Sequence, residues 1–211
     1  MTKFYIVRHG QSLGNANKTF LGHTDWDLSE LGYAQAQKTA EFLADKGIEA
    51  IYTSDLMRAF NTALPVCKKY GIEPIKDVRL REIYAGEWEG LVIDDILSNY
   101  PNYQIWRNDI GNVTCDGGES TKELQERVNE VFTEIAEAND GKTVCVSTHA
   151  TVIRVMTCIW LDMPLTEAKN LKWVSNASVS EIDYADGRWR PVYIGNDKHL
   201  QNLVSTLPPN V

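Results

Sequence analysis

Apolar and polar residues follow two rhythms along this chain. Three short runs rich in β-branched and aromatic residues read as buried strands: Phe4-Tyr5-Ile6-Val7, Ala50-Ile51-Tyr52-Thr53 and residues 142–148. Longer stretches of helix-forming composition lie between them. One covers about 29–46, with Asp27 and Ser29 as N-cap candidates and Gly47 as a natural stop. A second runs from Ser54 to about Tyr70, and Pro65 is expected to kink it or to end its first part. Ser120 and Glu123 form a capping-box pattern for a helix to about Ala138. A fourth helix is predicted over 151–161. Residues 74–82 read as short extended pieces, and 172–195 as one or two strands turning at Asp186-Gly187. The tail with Pro208-Pro209 is expected to fray.

Strands alternating with helices predict an α/β fold with a mainly parallel sheet. Residues 84–118 break the pattern. They are irregular, carry Tyr84, Trp88, Tyr100, Tyr103 and Trp106, and are too long for an ordinary connection. They are expected to form a lid or substrate segment and to hold the specificity. The 211 residues suit a single domain. No apolar run reaches the roughly 18 residues that span a bilayer, and no signal peptide is expected. The four cysteines lack any C-x-x-C spacing and read as core thiols of a reducing, cytoplasmic setting. A net charge of −8 with no basic stripe argues against nucleic acid. It leaves room for a small phosphorylated metabolite, since two arginines can make a pocket positive inside an acidic protein. Nothing in the pattern speaks to oligomeric state.

The chemistry gathers at predicted strand ends. Arg8-His9-Gly10 follows the first run, Ser54 follows the second and opens the helix bearing Arg58, and His149-Ala150 follows the third. Two histidines and two arginines should therefore converge on one rim of the sheet, where open α/β sheets collect ligands. An arginine offers a planar fork for two phosphoryl oxygens. A neutral imidazole can attack phosphorus, and two nearby guanidinium groups would keep it unprotonated. Gly10 is expected to leave room for backbone to approach the phosphoryl oxygens. Glu82 is the candidate proton donor for the leaving alcohol, since a carboxyl beside a phosphate dianion is favoured in its protonated form.

With these residues in hand, the chain resembles the histidine phosphatase superfamily, which includes the phosphoglycerate mutases. Arg8-His9-Gly10-Gln11-Ser12 with Asn15 carry the likeness, as do Asp27-Leu28-Ser29-Glu30-Leu31-Gly32 and Ser54-Asp55-Leu56-Met57-Arg58-Ala59. Leu80-Arg81-Glu82, Gly86-Glu87-Trp88-Glu89-Gly90, Gly117-Gly118-Glu119-Ser120 and Ser147-Thr148-His149 continue it in the family's order. The resemblance implies a three-layer α/β/α fold of the phosphoglycerate mutase type. It implies His9 as nucleophile, Arg8, Arg58 and His149 holding the phosphoryl group, and Glu82 as acid. It further implies that His149 stays protonated, and that Ser12, Asn15 and the Gly22 backbone contact phosphate. Ala150 stands where the family usually has glycine, so its methyl group narrows the approach of that amide.

The leading reading is a metal-independent phosphatase for small phosphorylated metabolites, without cofactor, acting through a phosphohistidine at His9. A mutase is the alternative. Mutases of the resembling family carry a larger insertion after the acid, whereas only 34 residues separate Glu82 from Gly117 here. A catalytically weak binding or regulatory module is a third reading, disfavoured by the intact set of five groups. A metal site is not expected, because the histidines are few and the arginines already supply the positive charge. His23 and His199 have no context that suggests a role.

Overall fold

The computed structural model describes residues 1–205. Six strands form one sheet: β1 (Thr2–Arg8), β2 (Ala50–Thr53), β3 (Ile75–Lys76), β4 (Thr143–Thr148), β5 (Val179–Ala185) and β6 (Arg188–Asn196). Their spatial order is β3-β2-β4-β1-β5-β6. The first four in that order run parallel, and β5 and β6 add an antiparallel hairpin at one edge. The hairpin turns at Asp186 and Gly187, both in the left-handed region, as a tight two-residue turn requires. The Pro208-Pro209 expectation lies outside the described residues.

Period-two alternation on β1 explains the layering. Phe4 and Ile6 face one side, where they meet Phe132 of α6 (Thr121–Ala138) and Val155 of α7 (Ala150–Trp160) in one core cluster. Tyr5 and Val7 face the other and pack with Leu43 of α2 (Glu30–Leu43) and Ala63 of α3 (Met57–Tyr70). A strand buried on both faces needs helices on both sides, which gives the three-layer α/β/α arrangement. Among the described residues no helix is long and apolar enough to cross a membrane.

Several elements depart from expectation. α2 is capped by Ser29 and ends at Leu43, not near 46. α3 starts at Met57, because Ser54 is used elsewhere, and it runs unbroken through Pro65. The carbonyl that Pro65 leaves without a donor belongs to Asn61, which is half-exposed and open to water. Residues 172–178 form no strand, while 78–80 make a 3-10 turn after β3.

The largest difference concerns 84–118. This segment is ordered around α4 (Ile93–Asn99) and α5 (Asn102–Asp109), and three of its five aromatics named above are core, while Tyr100 is partly buried and Tyr84 exposed. Trp88, Tyr103 and Trp106 are buried and meet Phe20, which follows the short α1 (Leu13–Ala16), edge to face with ring centroids 5.1–6.2 Å apart. Backbone bonds stitch the segment to the first loop: Phe20 N–H donates to Leu91 O and Gly90 N–H to Phe20 O. The backbone of Gly86, at φ +56°, lies so close to 116–118 that a Cβ there would sit 2.2 Å from Asp116 O. Trp88, Tyr103 and Trp106 therefore mark packing.

Phe132 contacts the rings of Phe4, Trp160 and Trp189 and is fully buried. Phe132→Ala should cost about 3–5 kcal/mol in urea denaturation, as large-to-small core changes do. A loss below 1 kcal/mol would mean that this side of the sheet is not a packed core.

Candidate active site

Strand register assembles the centre. β1 and β4 pair in parallel with Arg8 opposite Thr148, so the next residues of each chain segment, His9 and His149, emerge side by side. Their ring centroids lie 5.1 Å apart. The His9 N–H donates to Thr148 O at 2.9 Å, which continues the ladder into the loop. His9 Nδ1 lies 2.7 Å from Gly10 O. A carbonyl only accepts, so Nδ1 carries the proton and Nε2 keeps its lone pair. His149 Nε2 lies 2.9 Å from Ser54 Oγ, and its buried Nδ1 has no partner in the protein. Ser54 thus serves the imidazole instead of capping α3.

Gly10 is small for a different reason than expected. A Cβ there would meet Gly32 O at 2.6 Å. The space is taken by the first turn of α2, not by a ligand. Gly10 N–H donates to Thr62 Oγ1, whose own hydroxyl donates to Arg58 O, tying the loop to α3.

Arg8 and Arg58 are each 1% exposed. Arg8 Nη1 donates to Val174 O, and its Nε has no partner. Arg58 donates from Nη1 to Thr24 O at 2.9 Å and from Nη2 to Gly22 O at 2.6 Å. Among the described residues neither donates to a carboxylate. Burial pushes both guanidinium groups down to about 10, so both stay charged near neutral pH. Burial first, then the charges of Arg58 and Arg8, holds His9 well below the ordinary histidine value. Burial, then Arg58 and His9, does the same for His149.

Glu82 faces the same cavity. Its Oε1 accepts from Ile83 N–H at 2.9 Å and its Oε2 from Thr151 N–H at 3.2 Å, in the first turn of α7. Its backbone is braced from three directions that the sequence did not signal. Arg127 on α6 forks onto the Glu119 carboxylate and also donates to Arg79 O, Arg81 O and Glu82 O. Arg81 forms a two-bonded pair with Asp55. His23 Nε2 donates to Glu82 O at 2.9 Å. Glu89, inside the Gly86–Gly90 motif, accepts from His23 N–H, Thr24 hydroxyl and Ala85 N–H, and so shapes the turn that receives Arg58.

These groups line a cavity of about 630 Å³ of empty space, open solvent included. Arg8, His9, Arg58 and Glu82 form its polar floor, and Asn15, Gly22 and Ala150 also line it. Ser12 does not. It is fully buried and caps α1, accepting from Asn15 N–H at 3.0 Å, while the Asn15 carboxamide accepts from Ser12 N–H and from Asn176. His149 is not a wall either, since its ring lies behind His9 with no exposure. The cavity also takes Lys18, Thr19, Phe20, Leu21, Ile93, Thr151 and Trp173 as walls, none of which the sequence singled out. Among the described residues no group of three or more His, Cys, Asp or Glu side chains is placed to hold a metal ion. Together, a neutral imidazole with a free Nε2, two buried cations and a fixed carboxyl can bind a phosphoryl group, attack it and move a proton.

The family model of the histidine phosphatase superfamily (branch 1) matches residues 4–197. Phosphoserine phosphatase 1 of Hydrogenobacter thermophilus is 32% identical over 189 residues, covering 89% of each chain. A probable phosphoglycerate mutase, GpmB, of Shigella boydii is 32% identical over 90% of this chain and 88% of its own. The solved structure of Bacillus stearothermophilus YhfR superposes with a TM-score of 0.92 at 29% identity, covering 95% of this chain and all of that one.

The two depressed imidazoles make stability depend on pH. Above about 6.5, the ordinary histidine value, both folded and unfolded chains hold them neutral and their contribution is intact. As pH falls below that value the unfolded chain takes up protons that the folded one refuses. Each histidine should then cost about 1.4 kcal/mol per pH unit until its own lowered value is reached. Urea denaturation between pH 7 and 5 should show a shallower slope for the His9→Gln/His149→Gln chain than for the parent. Equal slopes would mean that these rings are not held neutral.

Proposed function

The chain belongs to the histidine phosphatase superfamily (branch 1), and from that premise we propose that it is a metal-independent phosphatase of small phosphorylated metabolites, working in the cytoplasm without a cofactor. The observation that carries this reading is the His9 ring, locked by Gly10 O with Nε2 bare, beside two fully buried guanidinium groups. Arg8 and Arg58 neutralise the phosphoryl oxygens, with the orphaned Arg8 Nε available to them. Nε2 attacks phosphorus, the ester P–O bond breaks, and Glu82 hands its proton to the leaving oxygen. Water then attacks the phosphohistidine, Glu82 takes its proton, and the P–N bond breaks to release phosphate and free His9. His149 neighbours the transferring group and gains a proton only when the dianion arrives. Asn15, the Gly22 backbone and Ala150 form the substrate's surroundings, while Ser12 acts through the α1 cap. Residues 1–211 act as one domain. Residues 84–118 serve as its lid, with Ile93 as their contribution to the cavity wall.

A mutase is the second reading, and the resemblance to a probable phosphoglycerate mutase favours it. The short segment between Glu82 and Gly117 favours hydrolysis. If Glu82 protonates the leaving group, Glu82→Gln should lower kcat on alkyl phosphates by about 10²–10⁴-fold. The loss on p-nitrophenyl phosphate, whose phenolate leaves unaided, should be far smaller. Equal losses on both would take the acid role away from Glu82. Isomerisation of 3-phosphoglycerate outpacing phosphate release would replace the phosphatase with the mutase.

The covalent step has its own readout. Quenching the enzyme with labelled substrate in the presence of EDTA should trap base-stable, acid-labile phosphate on His9. Label on a serine or cysteine, or none without added metal, would overturn the mechanism.

A further inference from the structure

The cavity holds one cation that the phosphoryl chemistry does not use. Arg8 and Arg58 lie buried at its floor, whereas Lys18 lies at its exposed rim. The Lys18 ammonium takes no part in any hydrogen bond or ion pair found among the described residues. Lys3, Lys38 and Lys122 are paired with Glu181, Glu41 and Glu126, whereas among the described residues Lys18 shares its free ammonium with Lys68, Lys69, Lys142, Lys172 and Lys198; what sets it apart is that, of these, it lines this cavity. Lys18 is also held in the left-handed region at φ +54°, which costs a non-glycine residue about 1 kcal/mol or more. The surroundings impose that conformation. Lys18 N–H donates to Asn15 O, Ile93 N–H donates to Lys18 O at 3.0 Å, and Thr19 bridges to Val92. Between rim and floor the walls are apolar, with Phe20, Leu21, Ile93 and Trp173.

We propose that Lys18 is a specificity-determining residue that binds a carboxylate on the substrate, so that the preferred substrates are small phosphorylated acids and not neutral phosphate esters. This rests on the phosphoryl group binding at Arg8 and Arg58, as in the reading above. The charges divide accordingly. Two guanidinium forks suit a phosphoryl dianion, and one compact ammonium suits a monoanion. A short carbon skeleton then spans the apolar walls. Among the described residues Glu82 is the one carboxylate lining the cavity, and it sits on the floor with Oε1 and Oε2 both accepting backbone N–H groups. It therefore does not neutralise the rim.

The test uses a matched pair, 3-phosphoglycerate and glycerol 3-phosphate, which differ by a carboxylate against a CH2OH group. Binding is measured by calorimetry on the His9→Ala chain, which cannot turn either over. 3-Phosphoglycerate should bind about tenfold more tightly, in the range of a charge-assisted contact in a half-open site. That preference should vanish when Lys18→Met is added, survive Lys18→Arg, and shrink from 20 to 500 mM KCl as screening grows. A preference that is absent, or that Lys18→Met leaves unchanged, would overturn the inference. Phosphohistidine trapping on the parent chain with p-nitrophenyl phosphate reports separately on the proposed function, so either idea can fail alone.

Discussion

Two guanidinium groups taken almost wholly out of water are the constraint that the rest of this structure answers to. Desolvating a charge is costly, and here the cost is offset by carbonyl oxygens. Val174 O serves Arg8, and Gly22 O and Thr24 O serve Arg58. Those carbonyls must themselves be held in place, which accounts for much of the surrounding architecture. Glu89 gathers three donors to fix the turn carrying Gly22 and Thr24. Phe20 anchors the start of the same turn in the aromatic core. Burial first, then the fields of Arg58 and Arg8 at His9 and of Arg58 at His149, depresses the neighbouring imidazoles, so one arrangement gathers two cations beside an unprotonated ring.

The same logic explains why Glu82 is carried on a braced turn. Residues 79–82 expose carbonyls where no sheet or helix can use them, and Arg127 and His23 supply the missing donors. Because Arg127 is itself anchored on Glu119, the segment bearing Glu82 is coupled to the start of α6. The Gly117-Gly118-Glu119-Ser120 stretch therefore contributes without entering the cavity. It admits the backbone of Gly86 at close range and provides the carboxylate that orients Arg127.

Much of this was legible in the sequence, and the residues show why the remainder was not. β1, β2 and β4 announce themselves because a strand buried on both faces must be apolar throughout. The Asp186-Gly187 turn follows from its demand for two left-handed residues. Arg8, His9, Arg58, Glu82 and Ala150 are brought to one cavity from separate elements, as their places at strand ends and in ordered motifs suggested. His149 joins them only through its contact with His9. Ser12 was misplaced because a loop serine and a helix-capping serine look alike until the backbone is seen. The burial of Trp88, Tyr103 and Trp106 was hidden for a related reason. Burial depends on partners distant in sequence, and Phe20 lies more than sixty residues before Trp88. Pro65 was expected to interrupt α3, but Ala63 and Val66 anchor the helix in the core on either side of it. Arg127 and Lys18 carried no signal, since one acts on carbonyls and the other is set apart by a backbone angle.

The bond from His9 Nδ1 to Gly10 O has a consequence for regiochemistry. An imidazole has two nitrogens capable of forming a phosphoramidate, and in free histidine both compete. Here one is committed to a backbone acceptor inside the loop that follows β1, a loop clamped by Gly32 and Thr62. In the proposed reaction the bond would persist after phosphorylation, because Nδ1 remains a donor when Nε2 carries phosphorus. By the proposed route a single positional isomer would be accessible, and the ring that leaves when water attacks would depart already in the tautomer it needs for the next turnover. Such a cycle would require no rotation of the side chain and no proton exchange with solvent at Nδ1.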